Sequence, residues 1–195
     1  MCIARGRKPH TSNGRLRVAL RRFGRNRDGA AAIEFAMLAM PFMLLVFAIL
    51  ETCLSFAAQQ VLSNAMDDVA REVRTGQIRT INQAELKEAF CEKIDVIVTS
   101  GCPGLEVDLR SYTSFRLAAA DSYAVRNGDI FIERGSALLP LAASPGSALS
   151  INTMRVFYKW PVLTDIMRKY VANVGDSQTL LFATVTWQNE PYEEQ

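Results

Sequence analysis

A run of sixteen residues without a charge, 35–50 (FAMLAMPFMLLVFAIL), constrains this chain more than any other feature. As a helix rising ~1.5 Å per residue it covers about 24 Å, slightly less than the ~30 Å hydrocarbon core of a bilayer. Residues 30–33 before the run and 52–58 after it supply the missing length. Glu34 and Glu51 then fall near the two edges of the hydrocarbon. At the midplane a carboxylate costs at least ~2.5 kcal/mol, so the edges are where it belongs. Pro41 withdraws one backbone hydrogen bond and predicts a local kink, which spanning helices tolerate. The competing reading is a core helix of a soluble domain. Hydrophobic length and a basic flank oppose it.

That flank is an arm with a strong charge bias. Residues 1–28 hold eight Arg and Lys8 against Asp28 alone, whereas the rest of the chain has 13 basic and 19 acidic residues, a balance of −6. Basic arms can bind nucleic acid. Next to an apolar span, however, positive charge retains the leading end in the cytoplasm. The basic residues beyond the span are scattered, with no strip suited to tracking phosphates, so no nucleic acid partner is expected.

The single histidine, His10, lies in the arm. Beyond it no imidazole remains for a catalytic triad, a Cys–His pair or a histidine metal site. Cys2 is in the arm and Cys53 in the apolar helix, leaving Cys91 and Cys102 in the domain. Without a C-x-x-C pair or a nearby histidine these two make no zinc site. Outside the cytoplasm they can form a disulfide closing a small loop; two unrelated buried thiols are the alternative.

Helical patterning continues past the apolar run. Val61, Leu62, Ala65, Met66, Val69 and Val73 recur on one face, while Gln60, Asn64, Asp67, Asp68, Arg71 and Glu72 fill the other. Gly76 is a suitable stop. The reading is one helix from about Ala30 to Arg74, apolar all round in its first half and amphipathic in its second. A secretory signal is the rival, because Ser55-Phe56-Ala57 has the spacing of a signal-peptidase site and would leave Ala58 as the mature N-terminus. The long leader and the unbroken helical pattern oppose it.

Downstream, Asn82 caps a short helix with Glu85 three residues on and Leu86, Phe90 and Ile94 on one face. Residues 105–115 (LEVDLRSYTSF) alternate, with Leu105, Val107 and Leu109 on one side and Glu106, Asp108 and Arg110 on the other, as in a half-buried strand. Asn127-Gly128-Asp129 signals a turn into Ile130-Phe131-Ile132. Residues 135–150 read as a variable loop, 151–160 and 179–188 as strands, and 162–170 as a helix ended near Gly175. Tyr112, Tyr123, Tyr158, Trp160 and Trp187 are mostly at strand positions and read as core or surface rather than a binding box. The fold class is α+β: a long N-terminal helix, transmembrane and then amphipathic, packed on a small antiparallel sheet. Three segments result: a basic leader (1–29), a transmembrane helix (30–58) and an extracytoplasmic domain (59–195).

Residues 28–35 (DGAAAIEF) run directly into the apolar segment and resemble the processing site of type IV pilins and pseudopilins. In those proteins a prepilin peptidase cuts after the glycine, and a glutamate stands fifth in the mature chain. By that resemblance Gly29 precedes the cut, Ala30 becomes the new N-terminus and Glu34 is the fifth residue, with Phe35 following. The chain is similar more specifically to the TadE-like family of tight-adherence (Flp) pilus assembly proteins. The cysteine pair, LEVDLRSYTSF, VFYKWPVL and the ending FATVTWQNEPY extend that likeness over most of residues 28–192. No von Willebrand-type segment follows, unlike the longer related proteins of the same system.

Physics gives the glutamate a reason of its own. Cleavage after Gly29 leaves a positive α-amine on a helix entering lipid, and Glu34, four residues on, shares its face and benefits from the helix dipole. In an array Glu34 could instead neutralise the amine of a neighbouring subunit. The bland alternative is a carboxylate that meets water in the headgroup region.

The expected function is a non-enzymatic pilus assembly component in the bacterial inner membrane, without a cofactor, its N-terminus cytoplasmic and its domain periplasmic. The partners this implies are a prepilin peptidase, other pilin or pseudopilin subunits, inner-membrane platform proteins and the lipid bilayer. From a different class, the alternative is a secreted or membrane-anchored binding domain unrelated to pili. An enzyme would need carboxylates, Ser or Tyr alone, and no such constellation is legible.

Overall fold

The structure, a computed structural model, describes residues 28–99, 101–164, 168–169, 172–174 and 177–192. The basic leader, with Cys2 and His10, lies outside the described residues, as do 165–167 and 170 of the helix expected over 162–170 and its expected stop near Gly175. Two compact units meet between Val46 and Phe47. The first is helical throughout its described part.

Helix α1 (Asp28–Arg74) continues through Pro41 without a break. Its end is set by Gly76, whose φ of 74° is a left-handed conformation. There the Gly76 N–H donates to Val73 O and the Gln77 N–H to Glu72 O, which satisfies two terminal carbonyls. Helix α2 (Gln83–Ile94) begins with the expected capping box: the Asn82 side chain accepts from Ala84 and Glu85, and Glu85 accepts from the Asn82 N–H. Leu86, Phe90 and Ile94 are fully buried.

The remaining elements are β1 (Leu105–Tyr112), α3 (Phe115–Ala120), β2 (Ser122–Arg126), β3 (Asp129–Arg134), β4 (Ala137–Leu139), β5 (Ala143–Ser144), β6 (Ile151–Pro161) and β7 (Gln178–Gln188). The main sheet has the order β5-β1-β6-β7, and β2-β3-β4 form a second sheet. All pairings are antiparallel except the two-residue β1–β5 pair, which makes the main sheet mixed.

Three sequence expectations are corrected. Residues 135–150 contain β4 and β5, strands of three and two residues that are too short to show an alternation and are held by pairing with β3 and β1. Of the helix expected over 162–170, residues 168–169 are helical, with the Arg168 N–H donating to Thr164 O at 3.0 Å, but 162–164 are not. Instead the Val162 N–H donates to Ser177 O, which holds the chain beside the start of β7. The strand expected over 105–115 ends at Tyr112, because Ser114 caps α3 by accepting from the Leu117 N–H.

The main sheet is covered on both faces. One face packs Leu105, Val107, Leu109, Met154 and Val156 against Leu62, Met66, Val69 and Val73 of α1 and the apolar face of α2. On the other face Phe157 joins Ile130, Val174 and Leu180. Tyr123 of the second sheet lies with its ring 5.2 Å from Phe157 and 5.1 Å from Phe182. Burying both faces leaves Asp108 and Arg155 inside the protein.

Candidate functional site

The residues proposed for processing and assembly lie on the first turns of α1. Gly29 has no left-handed φ, and a Cβ built on it meets nothing within 4 Å. A glycine inside a helix is about 1 kcal/mol less favourable than alanine, so the local structure supplies no reason for it. Gly29, Ala30 and Glu34 are exposed, as is Phe35. From Ile33 to Leu50 the large apolar side chains Ile33, Phe35, Met37, Leu38, Met40, Phe42, Phe47 and Leu50 are all more than half exposed. In water so continuous an apolar surface would be a liability, whereas in lipid it is the expected state. This helix is the candidate membrane span among the described residues.

Cys91 and Cys102 are joined in a disulfide, with their Cα atoms 5.7 Å apart. The bridge ties the last turn of α2 to the loop entering β1. Cys102 sits at φ 45°, and its carbonyl accepts from the Leu105 N–H, so the bridged residue also starts the strand. Cys53 is free and exposed on α1.

Glu51 was legible only as the end of the apolar run. In the structure it is buried, and its Oε1 accepts from the Leu163 N–H at 2.6 Å and from the Thr164 N–H at 3.4 Å. Oε2 takes the Thr164 N–H at 3.3 Å and the Thr164 hydroxyl. The buried carboxylate is thereby bonded through both oxygens. The only sequence signal was its position, an acid where an unpaired one would be expensive.

A second polar cluster was missed altogether. Asp108 accepts from Arg110 Nε at 2.8 Å, Ala142 N at 3.0 Å and Arg155 Nη1 at 3.3 Å. Arg155 Nη2 reaches Asp121 O at 3.2 Å. The Asp121 carboxylate binds Arg134 through both Nε and Nη2 and the Tyr112 hydroxyl at 2.7 Å. The Arg134 hydrogen bonds hold the Asp121 carboxyl below the usual carboxylate range, and burial pushes the Tyr112 hydroxyl up. The alternation of β1 had placed Asp108 on a solvent face. Only α3 and the second sheet, which cover that face, made it internal.

Taken together, an N-terminal helix long and apolar enough to cross a membrane, followed by a small α+β sheet domain, defines the class. Within that class, residues 29–71 match the TadE-like protein family, the family that the sequence resembles. The match begins at Gly29 and stops inside α1, so the sheets lie beyond it. No curated protein and no solved structure matches the chain.

Proposed function

We propose that this chain is a pseudopilin-like component of the tight-adherence (Flp) pilus assembly machinery that acts by protein–protein assembly and not by catalysis. The observation that carries the reading is the match over residues 29–71 to the TadE-like family, which starts at the glycine of the DGAAAIEF motif. On this reading the basic leader stays in the cytoplasm, α1 crosses the inner membrane and the sheets stand in the periplasm. A prepilin peptidase removes residues 1–29, and the apolar helix then packs with those of other pilin-like subunits and platform proteins. Glu34 neutralises an α-amine, either its own or a neighbour's.

The secreted-domain alternative fits the structure poorly. Cleavage after Ala57 would remove Glu51, which bonds Leu163 and Thr164, and would cut α1 next to Ala58 and Leu62, both in the core. The disulfide favours an oxidising compartment without distinguishing the two readings.

N-terminal sequencing of the mature protein tests the reading. Ala30 is expected when the peptidase is present, together with an uncut precursor when it is absent. An N-terminus at Ala58, or a precursor of the same size in both strains, would overturn it. A C-terminal phosphatase fusion should be active, and activity confined to the cytoplasm would reverse the orientation.

A further inference from the structure

We propose that Leu163, held by the backbone of Val162 and Thr164, forms a second membrane contact, seated in the interfacial region of the outer leaflet beside the exit of α1. The inference rests on the reading that α1 spans the bilayer, and it adds a contact made by the sheet domain itself.

Leu163 is a large apolar side chain, 65% exposed. Isolated exposed leucines are common and mean little. What distinguishes this one is how it is held and where. On its N-terminal side Val162 is buried, and its N–H is bonded to Ser177 O at 2.9 Å. The Leu163 N–H itself donates to Glu51 at 2.6 Å, and Thr164 binds the same carboxylate through its backbone and its hydroxyl. The backbone is fixed on both sides of a side chain left outside.

The place is set by Glu51, which directly follows the uncharged run ending at Leu50. Phe47, Ile49 and Leu50 before it are each more than half exposed, and so are Leu54 and Phe56 after it. The apolar surface of α1 therefore extends about a turn beyond Glu51, so the carboxylate lies inside the lipid boundary rather than outside it. A carboxylate there needs partners, and the loop supplies them, which brings Leu163 to the same depth. Continuity with the span identifies the occupant as the bilayer.

The test uses the full chain with Cys2 and Cys53 changed to Ser and the disulfide intact. Single cysteines introduced by Leu163→Cys, Ile49→Cys and Asp68→Cys carry an environment-sensitive fluorophore. The proteins are reconstituted in phosphatidylcholine–phosphatidylglycerol vesicles with nitroxide lipids labelled at shallow or deep positions. Asp68 is exposed and about 26 Å beyond Glu51 along the helix, so it serves as the aqueous control. The probe at 163 should be blue-shifted and quenched several-fold more by shallow than by deep nitroxide, with 49 quenched by lipid and 68 not. Quenching at 49 without quenching at 163 overturns the inference and leaves the span standing. A blue shift at 163 that lipid nitroxide does not quench places the probe against protein, and overturns it too. Absence of quenching at both 163 and 49 defeats the spanning reading itself, and the inference with it.

Discussion

Asp108 and Arg155 stand directly opposite each other on β1 and β6, and their facing atoms are 3.3 Å apart with almost no access to solvent. A charge pair in this position is held by the surrounding bonds more than by its own attraction. Removing one partner leaves the other buried without compensation, which typically costs 3–5 kcal/mol. Arg155→Met should fall near the lower end, about 3 kcal/mol, because Arg110 still serves Asp108. Urea unfolding of the detergent-solubilised chain would measure it. Asp108→Leu should cost more than Arg155→Met, because it strips the acceptor from Arg110, Arg155 and the Ala142 N–H together; an equal or smaller loss would contradict this account.

Asp121 makes stability depend on acid. Its carboxyl titrates below its unfolded value because Arg134 and Tyr112 bond the charged form. The resulting stabilisation is fully present above the unfolded pKa, near ~3.9, and is lost as pH falls through the folded value. The effect should be modest, since half of the Arg134 side chain is in solvent. Urea midpoints measured downward from pH 6 should decline more steeply for the native chain than for Asp121→Asn. Parallel curves would remove Asp121 as a source.

The Cys91–Cys102 bridge closes a short loop, and by chain entropy such a loop contributes on the order of 3 kcal/mol. A Cys91→Ser/Cys102→Ser variant should therefore unfold at a lower urea midpoint with an α1 that still inserts. Alkylation of the denatured but unreduced mature protein should leave both cysteines unlabelled. Full labelling of both would show that no bridge forms in the cell.

Glu34→Ala should separate processing from assembly. Gly29 stays in place, so a mature-length protein is expected. The α-amine left without a carboxylate then enters hydrocarbon at a cost of up to a few kcal/mol per subunit. Pilus assembly should fall sharply at native protein levels, whereas a bulky residue at Gly29 should instead leave the precursor uncut. Normal piliation by Glu34→Ala would end the charge-neutralisation account.

What the sequence by itself determined was everything carried by local pattern. The apolar run, the amphipathic second half of α1, the stop at Gly76, the box at Asn82 and the long strands β6 and β7 are short-range signals, and all are present in the structure. Tertiary structure alone decided what depends on a second layer. β4 and β5 exist because neighbouring strands pair with them, and residues 162–164 are held out of a helix through contacts with Glu51 and Ser177. Asp108 alternates on β1 as a solvent-facing residue does. A one-dimensional pattern gives the face of a strand but not what covers it, and the cover here comes from α3 and the hairpin that follows. Glu51 shows the same limit from the other side. Its place in the chain demanded a partner, but one that lies 112 residues away could be found only by folding.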